Sequence, residues 1–243
     1  MYNISNIEYY LPKINYSNDL LINKKSSVKK IISKVGINKK FASASNEYAT
    51  DLAVKAVKKI LNNDQSLKYK IDFLIYCTQS PDYNLPSGSS HIQNVLFPKR
   101  NIGSIDINLG CSGFVYSLSI AKGLILSGEA KTILLITADT YSKYINETDL
   151  SVRAIFGDAA AATIIQKSKK NELYSFDQGT DGSGNYDFIV PGSGLRNLSE
   201  LSPSFINKSK LKKNKLFMNG TNMFNFTLQA VPKTIKSTLK KNN

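Results

Sequence analysis

An α/β fold follows from three features of the sequence. Ile105, Ile107 and Leu109 alternate with Asp106 and Asn108, the period-two signature of a strand. Phe114, Leu118, Ala121 and Ile125 then recur at helical spacing, and Val115, Tyr116, Ile120 and Leu124 fill much of the remaining circumference. A helix apolar almost all round belongs between other layers of a protein. Beyond Gly128, Ile133-Leu134-Leu135-Ile136 within Thr132 to Ala138 is one apolar run, as expected of a buried parallel strand. Strands and helices go on alternating through this part of the chain. The expectation is right-handed βαβ units in a largely parallel sheet.

The other elements fit that frame. Ile4 to Tyr10 reads as a strand with Leu11-Pro12 as its exit, and Val28 to Val35 as a short helix stopped at Gly36. Ser45 is positioned to cap a helix whose apolar face is Ala49, Leu52, Ala53, Ala56, Val57 and Ile60. Ile71 to Cys77 reads as a strand and Ser87 to Leu96 as a helix carrying His91, the single histidine. Glu147 to Arg153 reads as a polar connection, Gly157-Asp158 as a turn and Ala159 to Ile165 as a strand. Lys167 to Asn171 reads as a linker that separates residues 1–166 from a second half, 167–243. Leu173 to Thr180 is expected to be that half's first strand, with turns at Asp181 to Gly184 and Gly192 to Gly194. Phe224, Leu228, Val231, Ile235 and Leu239 mark a helical stretch that Pro232 should kink or divide.

Composition bounds the function. Thirteen Tyr and eleven Phe in 243 residues suit a folded core, and two cysteines offer no disulfide framework, which fits a reducing cytoplasm. No apolar run approaches the ~20 residues that span a bilayer, and the N-terminus is too polar for a signal peptide. The formal charge of +14 raises nucleic-acid binding. No nucleic-acid motif accompanies it, however, and lysines dominate and are widely spread, so an anionic protein or phosphorylated substrate is the better partner.

Chemistry concentrates at Cys111, in Asn108-Leu109-Gly110-Cys111-Ser112-Gly113, where a strand ends and a helix begins. A helix N-terminus favours a thiolate, and small neighbours leave room for a carbonyl to approach sulfur. The opposing reading is a buried cysteine serving as a small hydrophobe. Local context leaves both open. Cys77, inside an apolar strand, reads as core.

The run Asp106 to Gly128, with Phe156-Gly157-Asp158-Ala159-Ala160 downstream, resembles the β-ketoacyl-ACP synthase III branch of the thiolase-like condensing enzymes. Val35-Gly36-Ile37, Thr78-Gln79-Ser80-Pro81-Asp82-Tyr83, Leu85-Pro86-Ser87, Asp177 to Gly182 and Met218-Asn219-Gly220 extend the resemblance over nearly the whole chain. It implies a thiolase-like, layered αβαβα fold, the first half complete and the second incomplete. It also implies that Cys111 carries an acyl group as a thioester and then passes it to a malonyl unit in fatty acid biosynthesis.

Further implications of the resemblance concern binding and assembly. Leu85 would reach across a homodimer to the partner's acyl pocket. Ile155 and Phe156 match pocket-lining positions, and Met218, Gly220 and Phe224 lie in a matching substrate-binding segment. Lys30 and Lys34 stand where the family places an aromatic ring and an arginine against coenzyme A. His91 would lie near the dimer interface in a structural role. Acyl-coenzyme A and malonyl-ACP are then substrates, acyl carrier protein is a partner, and no resident cofactor or metal is implied.

The family's catalytic histidine and asparagine match no residue up to Asn243, so the chain is expected to accept an acyl group without condensing it. Two other readings stay open. One is an acyltransferase for a specialised acyl group in surface polysaccharide or secondary metabolism. The other is a non-catalytic dimer partner of a complete homologue.

Overall fold

A computed structural model describes residues 2–19, 26–169, 174–196 and 211–243. Strand β1 (Tyr2–Tyr10) is followed by β2 (Ile14–Ser17), helix α1 (Ser26–Val35) and β3 (Lys39–Ala42). Helices α2 (Ala49–Asn63) and α3 (Leu67–Lys70) lead to β4 (Phe73–Cys77), α4 (Gly88–Leu96) and β5 (Gly103–Ile107). Helix α5 (Gly113–Ser127), β6 (Thr132–Thr140), α6 (Leu150–Ile155) and β7 (Asp158–Lys167) come next. Two short strands, β8 (Phe188–Ile189) and β9 (Phe217–Met218), precede the long helix α7 (Gly220–Asn242).

Five strands form one sheet in the order β1-β7-β6-β4-β5. β4 runs parallel to both β5 and β6, whereas β7 is antiparallel to β6 and to β1. The sheet is therefore mixed, not largely parallel. Thr140 at the end of β6 sits opposite Asp158 at the start of β7, so the chain re-enters beside the strand it has just left and must run back.

Alternation along β4 and β6 sends Leu74, Tyr76, Leu134 and Ile136 to one face of the sheet. There they join Ala49, Leu52, Ala53, Ala56, Val57 and Ile60 of α2, together with Ile92 of α4, in one buried core. The opposite set, Ile75, Cys77, Ile133 and Leu135, is also buried. Helix α5 packs against β4, β6 and β7 on that second face. One helical layer thus lies on each side of the sheet. Only one flank of α5 is covered, however. Ser117, Leu118, Ala121 and Ile125 are buried, whereas Val115 (41%), Ile120 (36%) and Leu126 (61%) are exposed. The enclosed helix expected from its apolar circumference is half-enclosed within this chain, because the sheet covers a single side.

Several boundaries differ from expectation for local reasons. Helix α2 starts after Tyr48, whose N–H donates to Asp51 Oδ2 at 2.9 Å, while Ser45 lies in a preceding turn. The supposed connection 147–153 contains most of α6, because Asp149 accepts from Val152 N at 3.2 Å and so starts a helix. Residues 174–180 form no strand, and Leu173 lies outside the described residues. Instead Ser175 exchanges hydrogen bonds with the Asn242 side chain, and Lys241 pairs with Asp177. Helix α7 runs through Pro232 as one element.

The chain packs as two compact units. One comprises residues 1–16, 41–140 and 157–174, and the other 17–40, 141–156 and 175–243. These packing units do not coincide with the halves 1–166 and 167–243, since two early segments join the second unit.

Candidate active site

The first unit presents Cys111 on a turn that the core beneath it shapes in detail. β5 ends at Ile107, whose carbonyl accepts from Thr78 N at 3.1 Å, so the β4–β5 ladder continues one residue beyond β4. The next residues fold into a turn closed by Gly113 N donating to Gly110 O at 2.8 Å. Helix α5 then begins, with Tyr116 N on Ser112 O at 3.0 Å. Cys111 is exposed and Cys77 is buried. That difference removes the reading of Cys111 as a small buried hydrophobe.

The two glycines flanking Cys111 are glycines for an internal reason. A β-carbon on Gly113 would lie 2.3 Å from Cys77 Sγ and 3.1 Å from Leu109 Cβ. One on Gly110 would lie 2.3 Å from Gln79 Oε1. These two glycines leave out a β-carbon that would meet the protein's own atoms. What they permit is close docking of the turn on the end of β4. Cys77 Sγ also donates to Leu109 O at 3.1 Å, and burial pushes its thiol above the ordinary range.

A polar network fixes the neighbouring loop. Asp139 Oδ1, near the end of β6, accepts from Gln79 N at 2.8 Å, Ser80 Oγ at 2.9 Å and Thr78 Oγ1 at 3.1 Å. Ser80 Oγ in turn accepts from Thr140 N at 2.8 Å. Burial raises the Asp139 carboxyl above the usual range, although these hydrogen bonds oppose the shift. Asp106 of β5 caps α4, accepting from Gly88 N at 2.7 Å and Ser89 N at 2.8 Å. Asp158 of the Phe-Gly-Asp run accepts from Ser43 N at 2.7 Å and Ser43 Oγ at 2.8 Å, tying β7 to the segment before α2. Sequence reasoning missed Asp139 and Gln79. The available signal was a single acid closing an otherwise apolar strand.

The remaining candidates separate. Leu85 is 87% exposed in the first unit, and His91 on α4 is exposed as well. In the second unit Phe156 stacks on Tyr141 with centroids 5.1 Å apart and tilts against Phe188 at 5.8 Å. Met218 and Phe156 pack on the same cluster around Tyr141, Val152 and Leu216. Ile155 is half-buried at the end of α6. Gly220 opens α7 on the surface, and Phe224 is 62% exposed, outside that cluster. Lys34 is exposed on α1; the side chain of Lys30 lies outside the described residues. Lys40, half-buried beside Arg153, has its ammonium pKa lowered to about 8 by burial and then by the arginine's charge. Among the described residues no helix is long and apolar enough to cross a membrane.

Residues 105–182, which include the whole Cys111 turn, match the family described as 3-oxoacyl-[acyl-carrier-protein (ACP)] synthase III. Over 236 residues the chain is 32% identical to beta-ketoacyl-[acyl-carrier-protein] synthase III 2 of Staphylococcus epidermidis, covering 96% of this chain and 70% of that relative. The chain belongs to the β-ketoacyl-ACP synthase III family. It is 35% identical over 214 residues to the synthase III of Clostridium perfringens, covering 88% of this chain and 64% of that one. A crystal structure of 3-oxoacyl-(acyl-carrier-protein) synthase III superposes with TM-score 0.86 and 36% identity, covering 97% of this chain and 72% of that one. The synthase from Burkholderia xenovorans superposes with TM-score 0.87 and 32% identity, covering 98% and 68%. The thiolase-like α/β fold is thus shared with solved synthases III. The chain spans 62–64% of the length of several curated relatives that it matches.

Proposed function

We propose that the chain carries the acyl-accepting centre of a β-ketoacyl-ACP synthase III of fatty acid biosynthesis. The thiolate of Cys111 attacks the carbonyl of an acyl thioester. The tetrahedral intermediate collapses, expelling the donor's thiolate, which takes up a proton, and the acyl group stays on Cys111. In the family's second half-reaction a malonyl thioester loses carbon dioxide, and the resulting carbanion attacks the Cys111 thioester and releases the cysteine. Both steps develop charge on a carbonyl oxygen, so each gains from hydrogen-bond donors aimed at it. The observation that carries this reading is the exposed Cys111 at the turn into α5, inside the segment that matches the family.

Acyl-coenzyme A and acyl carrier protein are the proposed donor and partner. Both are anionic and suited to a chain of net charge +14, and Lys34, exposed on α1, is proposed to meet their phosphates together with Lys30 of the same helix. Phe156, Ile155 and Met218 are proposed to wall the acyl group. A homodimer is part of the proposal, because β5 has β4 as its sheet neighbour on one side and lies at the edge of the sheet on the other. A cytoplasmic setting is proposed with it, since two cysteines offer no disulfide framework.

Incubation with acetyl-coenzyme A followed by intact-mass measurement tests the chemistry. One acetyl group is expected on the chain and none on a Cys111→Ala variant; retention of the label in that variant overturns the assignment. Light scattering tests the assembly, with twice the 26.9 kDa chain mass expected.

A further inference from the structure

We propose that Gln79 is a positioning residue for Cys111. Held in register by Asp139, it sets the Gly110 turn from which the thiol projects. The proposal rests on the reading of Cys111 as the acyl acceptor.

Three observations converge on it. First, the carboxamide of Gln79 occupies the space where Gly110 would carry a β-carbon, 2.3 Å from Oε1 and 3.0 Å from Cδ, so the amide lies directly against the residue preceding Cys111. Second, the loop bearing Gln79 is fixed by buried groups. Asp139 Oδ1 gathers three donors from Thr78, Gln79 and Ser80, and Ser80 N donates to Thr78 Oγ1 at 3.1 Å. Thr78 and Ser80 are buried at 3% and 5% exposure, while Gln79 between them is partly exposed. A side chain that leaves a rigid buried loop and ends on a turn transmits the loop's position to that turn. Third, this loop leaves β4 directly after Cys77, whose sulfur supports the other end of the same turn at Gly113 and Leu109.

The turn is thus held at two points, by Cys77 below Gly113 and by Gln79 beside Gly110. The first contact is short and stiff and serves packing. The second is made by a longer, polar side chain that reaches the residue adjoining the nucleophile. Displacing the turn by an ångström would misalign the sulfur relative to an incoming carbonyl, and misplacements of that size cost on the order of 10²-fold in rate.

The test uses the full chain and three substitutions. Gln79→Ala removes the amide, and Gly110→Ala pushes it away while leaving residue 79 intact. Gln79→Glu replaces the amide by a carboxylate of nearly the same shape. Each is read by the pH profile of Cys111 alkylation with iodoacetamide, followed by peptide mapping, and by acetyl transfer from acetyl-coenzyme A.

Gln79→Glu is expected to move the alkylation profile upward by about one pH unit, since a carboxylate against Gly110 puts a like charge one residue from the thiolate. Gln79→Ala and Gly110→Ala are each expected to slow acetyl transfer about tenfold or more at unchanged melting temperature. The double variant should be no slower than either single one, because both remove the same contact. An unmoved profile in Gln79→Glu overturns the proposal, as do additive effects of the two alanine substitutions. Should the parent chain take no acetyl group at Cys111, the proposed function fails. The alkylation profiles then still decide whether Gln79 acts on the thiol.

Discussion

Replacing Gly113 by alanine probes the packing that presents Cys111. The added methyl meets Cys77 Sγ at 2.3 Å, closer than carbon tolerates, and Leu109 Cβ at 3.1 Å, a tight contact. Neither neighbour can yield easily. Cys77 is 3% exposed with its sulfur bonded to Leu109 O, and Leu109 lies in the turn itself. Forcing one methyl into such a site costs about 1–3 kcal/mol, while glycine-to-alanine replacement in a helix returns at most ~1 kcal/mol. The net expectation is about 1–2 kcal/mol of destabilisation. For a chain of this size that is a fall of roughly 2–8 °C in melting temperature. Adding Cys77→Ala removes the opposing sulfur, so the double variant should recover at least about 1 kcal/mol relative to the sum of the single effects. Calorimetry and urea unfolding of the four proteins provide the numbers, and Cys111 alkylation shows whether the turn moves. A Gly113→Ala chain as stable as its parent would refute the argument, as would strictly additive effects with Cys77→Ala.

Other predictions follow from single groups. Asp158→Ala should cost about 1–3 kcal/mol, because Ser43 N loses a buried acceptor; the urea midpoint reports it, with Asp158→Asn expected to cost less. Cys77, whose thiol is raised by burial, keeps its proton in the folded state at pH values where the unfolded chain releases it. Stability should therefore fall as pH rises above the ordinary thiol value of 9.0, less steeply in Cys77→Ala, as read from urea unfolding at pH 8 and above. Lys40 is expected to be acetylated by an N-hydroxysuccinimide ester at pH 8 ahead of the other lysines, since its pKa is near 8, and Arg153→Gln should reduce that preference. The sign for stability is opposite to that for Cys77. Between about 8 and 10.5 the unfolded chain holds more protons than the folded one, so Lys40 makes stability rise with pH across that window.

The first unit was legible in the sequence wherever periodicity had one cause. Ala49 to Ile60 repeats at helical spacing because one face of α2 meets the sheet, and all six marker residues are buried. Ile133 to Ile136 is apolar throughout because β6 is covered on both faces. Legibility failed where a single side chain decides the structure. Asp149 turns a polar stretch into α6, and Asp51, not Ser45, helps fix the start of α2. Strand direction was hidden for a different reason. An apolar strand pattern does not depend on its partners' direction, so the sheet was expected to be largely parallel while β7 runs antiparallel to β6 and β1. At the site, Cys111 and its turn were visible, but the glycines beside it suggested open space. Their cause lies 30 or more residues away in sequence, at Cys77 and Gln79, and no local pattern carries it.

The position of the thiol follows from the part of the sheet that is parallel. β4, β5 and β6 run the same way and end on the same side, at Cys77, Ile107 and Thr140. Each of these endings contributes to the proposed centre. β5 leads into the Cys111 turn, β4 supplies Cys77 beneath it and Gln79 beside it, and β6 supplies Asp139, which fixes the Gln79 loop. In open α/β sheets the carboxyl ends of parallel strands are where loops converge and ligands bind. β7 enters this end of the sheet at Asp158 and runs away from it, and there Asp158 ties the strand to Ser43. The three parallel strands thus end where the turn of the proposed centre is built, while the antiparallel β7 begins there with the tie to Ser43.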